Sequence, residues 1–548
     1  MSTHWLDPLR AWWPAPMRSF PPDEHERVLS AARIERHGGL AALYLAGTPY
    51  EMGYQHGVLA RDLIHGFRAA AYAYVTSLLP SPAWLARPLL FYQAAAYWPT
   101  IPPEYALEMQ GIAHGAGIHP IEVLVSTAIW EMYLVSGCSE FAAVGPLTAS
   151  GSLLHGYNYA LMHPDHALIQ PYLAAIFYRP SQGIPFFTVN TVGSIGANAG
   201  MNEAGISVAW DNTYLRDDEL TKDIQGPVVP FILTLRKLLQ NSRCLDEAVE
   251  IVSSSLPRPL GDIVIIGSAS EGQAVALETA GHTHALRPLD DGAVWSTNCF
   301  RSPELAPHDH RGDGRALSGD AAWSKFPRYA AYSQLFAGCR ENLDPATAAA
   351  FLRDPYPREA RGFLQPNPAA RATICREFTS WSLVMEPASG RLWVSDTTTP
   401  APQVRFFAFD LPSWQHLPEH DLAPTGYQAA LLCAQRFLSG DRSGARAALE
   451  EAVSLDGPTA PLLLMRAVLQ GLAEERDEAA GTLQEVAARW TGTPAGALAH
   501  AWMDGDLDST QESSSAEIPL PSAIRPVIHL RQAATWTERA TPAHARDH

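Results

Sequence analysis

The chain has 548 residues, room for two to four domains at roughly 100–200 residues each. Apolar residues make up 47% and charged ones 18%, which excludes a disordered or fibrous chain. A net charge of -18 repels phosphate, so neither nucleic acid nor an anionic membrane is an expected partner.

The first residues, MSTHWLDPLRAWWPAPMRSF, lack a basic cap before a clean apolar run, so no signal peptide is expected. No apolar run is long enough to predict a spanning helix. Six cysteines without a CxxC pair suit reduced thiols and a cytoplasmic setting.

Residues 1–37 read as an arm leading into a helix near 23–36. LAALYLAGTPYEMGYQHG predicts a strand, a turn at Gly47, Thr48 and Pro49, then one long helix from about Tyr50. Two more helices follow. The first stops at Gly115–Gly117 and the second starts beside Pro120. Residues 1–137 thus form a mostly helical segment.

From Cys138 the texture changes. Short β-type runs such as SEFAAVG, SLLHGYNY, GISVAWDN and RLWVSDT alternate with Gly, Asn and Pro. A helical insert interrupts them near 228–255, and a second helical zone covers about 319–355. Strands that follow strands without regular helical crossovers predict an α+β fold with mainly antiparallel sheets over 138–412.

Residues 420–504 read as helices. ARAALEEA at 445–452 and AAGTLQEV at 479–486 repeat at the 34-residue spacing of tetratricopeptide-type helix pairs. A generic helical appendage is the alternative. Such helices suit a protein partner or a second copy of the chain. Residues 505–548 are rich in Ser, Glu, Pro and Ala and predict a flexible tail.

Cys138 heads an alternating apolar run directly after Gly137, a setting no other cysteine has. A thiol of pKa about 8.5 needs a base to become a nucleophile at neutral pH. A histidine can serve. So can the cysteine's own α-amine, pKa about 8, once the Gly137–Cys138 bond is cut. Glycine accepts the strained backbone such a cut requires.

GCSEFAAVG followed by GSLLHGYNY resembles the start of the mature chain in the acyl-CoA:6-aminopenicillanic acid acyltransferase-like family of N-terminal-nucleophile hydrolases. GTPYEMGYQHG, GSIGANAGMNEAGISVAWDN, WSTNCF, AVALETA and GRLWVSD resemble further family stretches in the same order, over about 40–410. The resemblance implies a four-layer αββα sandwich. It implies Cys138 as nucleophile, Asn298 as oxyanion donor and Asn158 as the residue orienting the freed amine. Asn212, Tyr157 and Cys299 would line the site.

It further implies a small amide or acyl-thioester substrate, acyl-CoA among the possibilities, and neither metal nor organic cofactor. Two departures stand out. Tyr157 and Ala160 occupy the places of the family's arginine and aspartate, and Asp165 is the nearest later aspartate.

Two rival readings stay open on the residues alone. One is an uncleaved Cys or Ser hydrolase with a histidine base. The other is an inactive scaffold of the same fold with a helical interaction region. His308, Asp309 and His310 form a His-x-His loop without a third ligand nearby, read as solvated surface.

Overall fold

The computed structural model describes residues 21–78, 83–133, 137–160, 170–310, 319–339, 342–354, 373–376, 378–398, 400–491 and 494–503. They form two compact units that divide between Leu422 and Ala423.

The first unit opens with helix α1 (Pro22–Ser30), which stops short of the expected 23–36. Strand β1 (Arg33–His37) takes over the remainder and pairs antiparallel with β2 (Leu40–Gly47). The reason is the two-residue turn Gly38–Gly39, a strong hairpin signal; Gly38 sits at φ 59°.

The single long helix expected from Tyr50 is two: α2 (Pro49–Leu59) and α3 (Arg61–Leu78), separated at Ala60. A capping box starts α2. Thr48 accepts from the Glu51 amide while Glu51 reaches back to the Thr48 amide. Then come α4 (Ala83–Ala95), α5 (Pro103–Ala116) and α6 (Pro120–Tyr133).

Helices α2 and α5 cross in backbone contact. A Cβ built on Gly53, Gly57, Gly111 or Gly115 would overlap the other helix's carbonyls at Glu108, Ile112, Tyr50 and Tyr54 respectively. Glycines spaced by four on both helices therefore let the two backbones touch. That is the physical content of the GYQHG and GIAHG motifs.

Strands β3 (Ser139–Ala143) and β4 (Leu154–Ala160) form a hairpin, followed by β5 (Leu173–Pro180), β6 (Phe186–Thr191), β7 (Ala199–Asn202) and β8 (Ile206–Thr213). The helical insert is α7 (Phe231–Asn241) and α8 (Leu245–Ser253). Next come β9 (Arg258–Ser268), β10 (Gln273–Gly281), β11 (Thr283–Pro288) and β12 (Ala293–Ser296), then α9 (Gly319–Ala337) and α10 (Pro345–Leu352). Strands β13 (Thr379–Glu386), β14 (Arg391–Ser395), β15 (Phe406–Asp410) and β16 (Gln415–His416) complete the unit.

The strands make two sheets. One has nine strands in the order β1-β2-β5-β6-β7-β8-β9-β10-β11, all antiparallel except β2 with β5. The other has seven antiparallel strands, β12-β3-β4-β13-β14-β15-β16. Ala142, Leu153 and Val294 from the second sheet pack against Ile265, Ala274 and Ala276 of the first, so the sheets lie face to face. Helices α2, α7 and α8 touch the nine-stranded sheet; α9 and α10 touch the seven-stranded one. The order of layers is αββα, on a mixed α/β core. The segment before Cys138 is not a helical piece apart from that core, since β1 and β2 are strands of its larger sheet.

The second unit is five helices: α11 (Tyr427–Leu438), α12 (Arg442–Asp456), α13 (Ala460–Leu472), α14 (Arg476–Arg489) and α15 (Pro494–Met503). Each packs on the next. Leu449 and Ala452 of α12 are buried, as are Leu483 and Val486 at the same places of α14. Among the described residues no single helix is long and apolar enough to cross a membrane; the pair α5–α6 passes only together, across a 116° bend.

Candidate active site

Register decides which side chains meet. β3 pairs with β4 so that Glu140 faces Tyr157 and Ser139 faces Asn158. Alternation then sends Cys138, Glu140 and Ala142, with His155, Tyr157 and Tyr159, to the inter-sheet side. Ser139 and Asn158 go to the outer side. Two contacts fix this assignment. His155 Nδ1 is 3.0 Å from Ser207 Oγ on the other sheet, and Ser139 Oγ is 3.2 Å from Tyr332 Oη on α9.

Asn158 therefore does not face the thiol. Its amide donates to the carbonyls of Leu352 (2.9 Å) and Ile374 (3.3 Å), and its oxygen accepts from Ser382. The expected role of Asn158 in orienting an amine is corrected to one of anchoring α10 and its flanking loop to the sheet.

Cys138 is 1% exposed in the uncleaved chain. Its sulfur lies 3.7 Å from Tyr157 Oη, which is 2.9 Å from the Trp210 carbonyl. A phenol has one hydrogen and a carbonyl can only accept, so that hydrogen goes to Trp210. The oxygen lone pairs then face the thiol. Burial and the neighbouring thiol push the Tyr157 pKa well up, which keeps the phenol neutral. Tyr157→Phe removes an acceptor that favours the neutral thiol, so the alkylation rate of Cys138 should rise severalfold while stability falls by about 1 kcal/mol. Timed iodoacetamide labelling and chemical denaturation measure the two effects.

One guanidinium ties the site together. Arg328, buried on α9, donates through Nη1 to the carbonyls of Cys138 and Gly137 (3.3 Å to the latter). Its Nη2 donates to the Thr297 carbonyl (3.1 Å) and to Asn298 Oδ1 (2.9 Å). Cys138 and Asn298, 160 positions apart in the chain, are thus joined by one rigid fork. Arg376 adds a second buried guanidinium, its Nη1 3.4 Å from the Gly137 carbonyl. Burial pulls the Arg328 pKa down, and the Asp211 carboxyl acts to raise it.

Asn298 is held in the left-handed region at φ 65°, a conformation asparagine tolerates. Asp211 Oδ2 accepts from its backbone amide (2.8 Å) and from Ser296 Oγ (3.0 Å). Burial raises the Asp211 pKa to about 7. Asn298 Nδ2 donates one hydrogen to the Asn212 carbonyl at 2.7 Å, which puts Asn212 at the site through its backbone. An amide nitrogen carries a second hydrogen. Cys299 is fully buried and its pKa is pushed up to about 11 by burial, so its thiol stays protonated.

The buried histidines sit elsewhere. His56 Nε2 accepts from the Gly193 amide at 3.0 Å, and burial drives its pKa down to about 3. Burial does the same to His155, against Ser207. In the His-x-His loop, Asp309 is taken by Lys325 at 2.7 Å. His308 groups with the exposed Asp217 and Glu219. Asp165 lies outside the described residues.

Sequence reasoning missed Arg328, Arg376, Asp211 and Glu140. Arg328 was hidden in a helical stretch, SKFPRYAAY, where a lone arginine among apolar residues was the available signal. Asp211 stands beside the expected Asn212.

No family model matches the chain. An uncharacterized protein of Archaeoglobus fulgidus is 27% identical over 303 residues, 49% of this chain and 47% of that protein. Protein dcd1B of Dictyostelium discoideum is 24% identical over 279 residues, 46% of this chain and 52% of that protein. The chain thus spans about half the length of the curated relatives it matches.

Among solved structures, an N-acylethanolamine-hydrolyzing acid amidase ortholog of Caenorhabditis elegans is similar at 16% identity and TM-score 0.30, covering 46% of this chain and 93% of that one. Two variants of the conjugated bile acid hydrolase of Clostridium perfringens are similar at 14% and 12% identity, with TM-scores of 0.33 and 0.32. Each covers 50% of this chain and 93% of that one. Likenesses that low decide nothing about chemistry.

Proposed function

We propose that this chain is a cysteine-type N-terminal-nucleophile amidohydrolase or acyltransferase that cuts itself between Gly137 and Cys138. One observation carries the reading. The Gly137 carbonyl, which the Cys138 sulfur must attack, accepts from two buried guanidiniums. Oxyanion charge developing on that oxygen meets fixed positive charge in a water-poor site, where such donors act most strongly.

In the cut, sulfur bonds to the Gly137 carbon and the Cys138 nitrogen leaves with a proton. Water then releases the upstream piece as a carboxylic acid and regenerates the thiol. The new α-amine, with an ordinary pKa of about 8, becomes the base for the next substrate. That substrate is an amide or acyl-thioester whose acyl group passes to sulfur and then to water or an amine. Its carbonyl oxygen takes the place vacated by that of Gly137. The second hydrogen on Asn298 Nδ2 and the guanidiniums of Arg328 and Arg376 are the donors. His56 and His155, engaged with Gly193 and Ser207 and made weak bases by burial, favour the amine over a histidine base. We also read the second unit as tetratricopeptide-type repeats, on the 34-residue offset shared by its buried positions.

Intact-mass analysis of purified wild type beside Cys138→Ala tests this. Wild type should give a piece ending at Gly137 and a piece beginning at Cys138, and the variant one full-length species. A full-length wild type that still turns over substrate would refute it.

A further inference from the structure

Glu140 is the buried group that the scheme above leaves without work. It stands two residues after Cys138 on β3, so both side chains leave the strand on the inter-sheet side. Its side chain is completely buried, and neither carboxyl oxygen makes a well-formed hydrogen bond. The Ile265 amide acts on it only weakly.

The charged and titratable groups around it are Asp211 on β8, Arg287 on β11, Tyr157 on β4, Tyr332 on α9 and Cys138 itself. Arg287 is already paired with Glu278 at 2.6 Å. Asp211 is occupied by Asn298 and Ser296. A buried acid with no counter-charge of its own is unfavourable in the uncleaved chain, where burial and Asp211 keep it protonated.

Cutting the Gly137–Cys138 bond changes the electrostatics of this space. It creates an amine beside Glu140 where a neutral peptide nitrogen stood. When that amine takes the thiol proton it becomes a buried ammonium, which needs a partner. We propose that Glu140 is the positioning residue that holds the α-amine of Cys138 after self-cleavage, pairing as carboxylate with the ammonium. After the cut Glu140 gives its proton to water, and the amine, still free, takes the thiol proton to form the ammonium that the carboxylate holds, so no further reactant is needed. This inference rests on the proposed self-cleavage.

The test compares cleaved wild type with Glu140→Gln and Glu140→Asp. Three quantities are read: the pH profile of Cys138 alkylation by iodoacetamide, turnover of p-nitrophenyl acetate, and the melting temperature. A carboxylate raises the pKa of a neighbouring amine, so Glu140→Gln should move the amine inflection down by about 1 pH unit or more. Turnover should fall about tenfold or more, with melting unchanged or higher. Glu140→Asp should recover part of both losses.

Unchanged profile and turnover in Glu140→Gln would overturn the proposal. So would a Glu140→Gln chain that melts normally but stays uncleaved, since Glu140 would then act in the cut itself. If wild type itself is uncleaved, the parent reading fails instead.

Discussion

Arg328→Lys is expected to fold and to lose about 100-fold to 1,000-fold in both self-cleavage and turnover. The native guanidinium holds four acceptors at once, namely the carbonyls of Gly137, Cys138 and Thr297 and the side-chain oxygen of Asn298. An ammonium keeps the charge but is a point donor on a flexible stem and cannot bridge the same span. The charge is retained and no acceptor is stranded beside a methyl group, so the stability loss stays within a few kcal/mol. The time course of the uncleaved species and the steady-state rate of the cleaved one separate the two effects. Arg376→Lys should cost less, because the bond to the Gly137 carbonyl is longer at 3.4 Å. Equal rates in wild type and Arg328→Lys would remove the guanidinium from the chemistry.

Gly111→Leu is expected to destabilise the first unit by about 3 kcal/mol or more. Two effects oppose each other. Leaving glycine gains about 1 kcal/mol of helix propensity. Against that, a Cβ on Gly111 would run into the Tyr50 carbonyl and the Tyr54 amide, which are backbone atoms that cannot turn away. The α2–α5 crossing must open, and overpacking wins. Gly481→Ala is the control. It lies inside α14 with open space around its Cα, so propensity acts alone and should stabilise the second unit by about 1 kcal/mol. Chemical denaturation followed for both units would show the opposite signs. A neutral Gly111→Leu would mean the helices are not in backbone contact.

The hairpins were legible because Gly, Asn and alternation mark them. SEFAA, GYNYA and the GMNEAG turn lie on β3, β4 and β7–β8 as the pattern predicts. What local pattern does not carry is register. Asn158 and Tyr157 are neighbours in sequence, yet pairing sends them to opposite faces of the sheet. Glu140 shows the same limit from the other side. Parity with Cys138 was readable, but burial of its carboxyl depends on a second sheet some hundred residues away. Arg328 lies on a helix, and only the packing of α9 on β12 brings it to the start of β3. The helix expected over 23–36 gives way to β1 because the Gly38–Gly39 turn closes a hairpin with β2.

A thiol activated by its own liberated amine is the centre of the proposed chemistry, and acyl trapping tests that most directly. Wild type is treated briefly with p-nitrophenyl acetate, quenched in acid, and its modified residue located by peptide mass spectrometry. One acetyl group is expected, on the sulfur of Cys138 in the piece that begins there, and none in Cys138→Ala. An acetyl group on any of the other five cysteines or on a serine, or none at all in a cleaved chain, would contradict it.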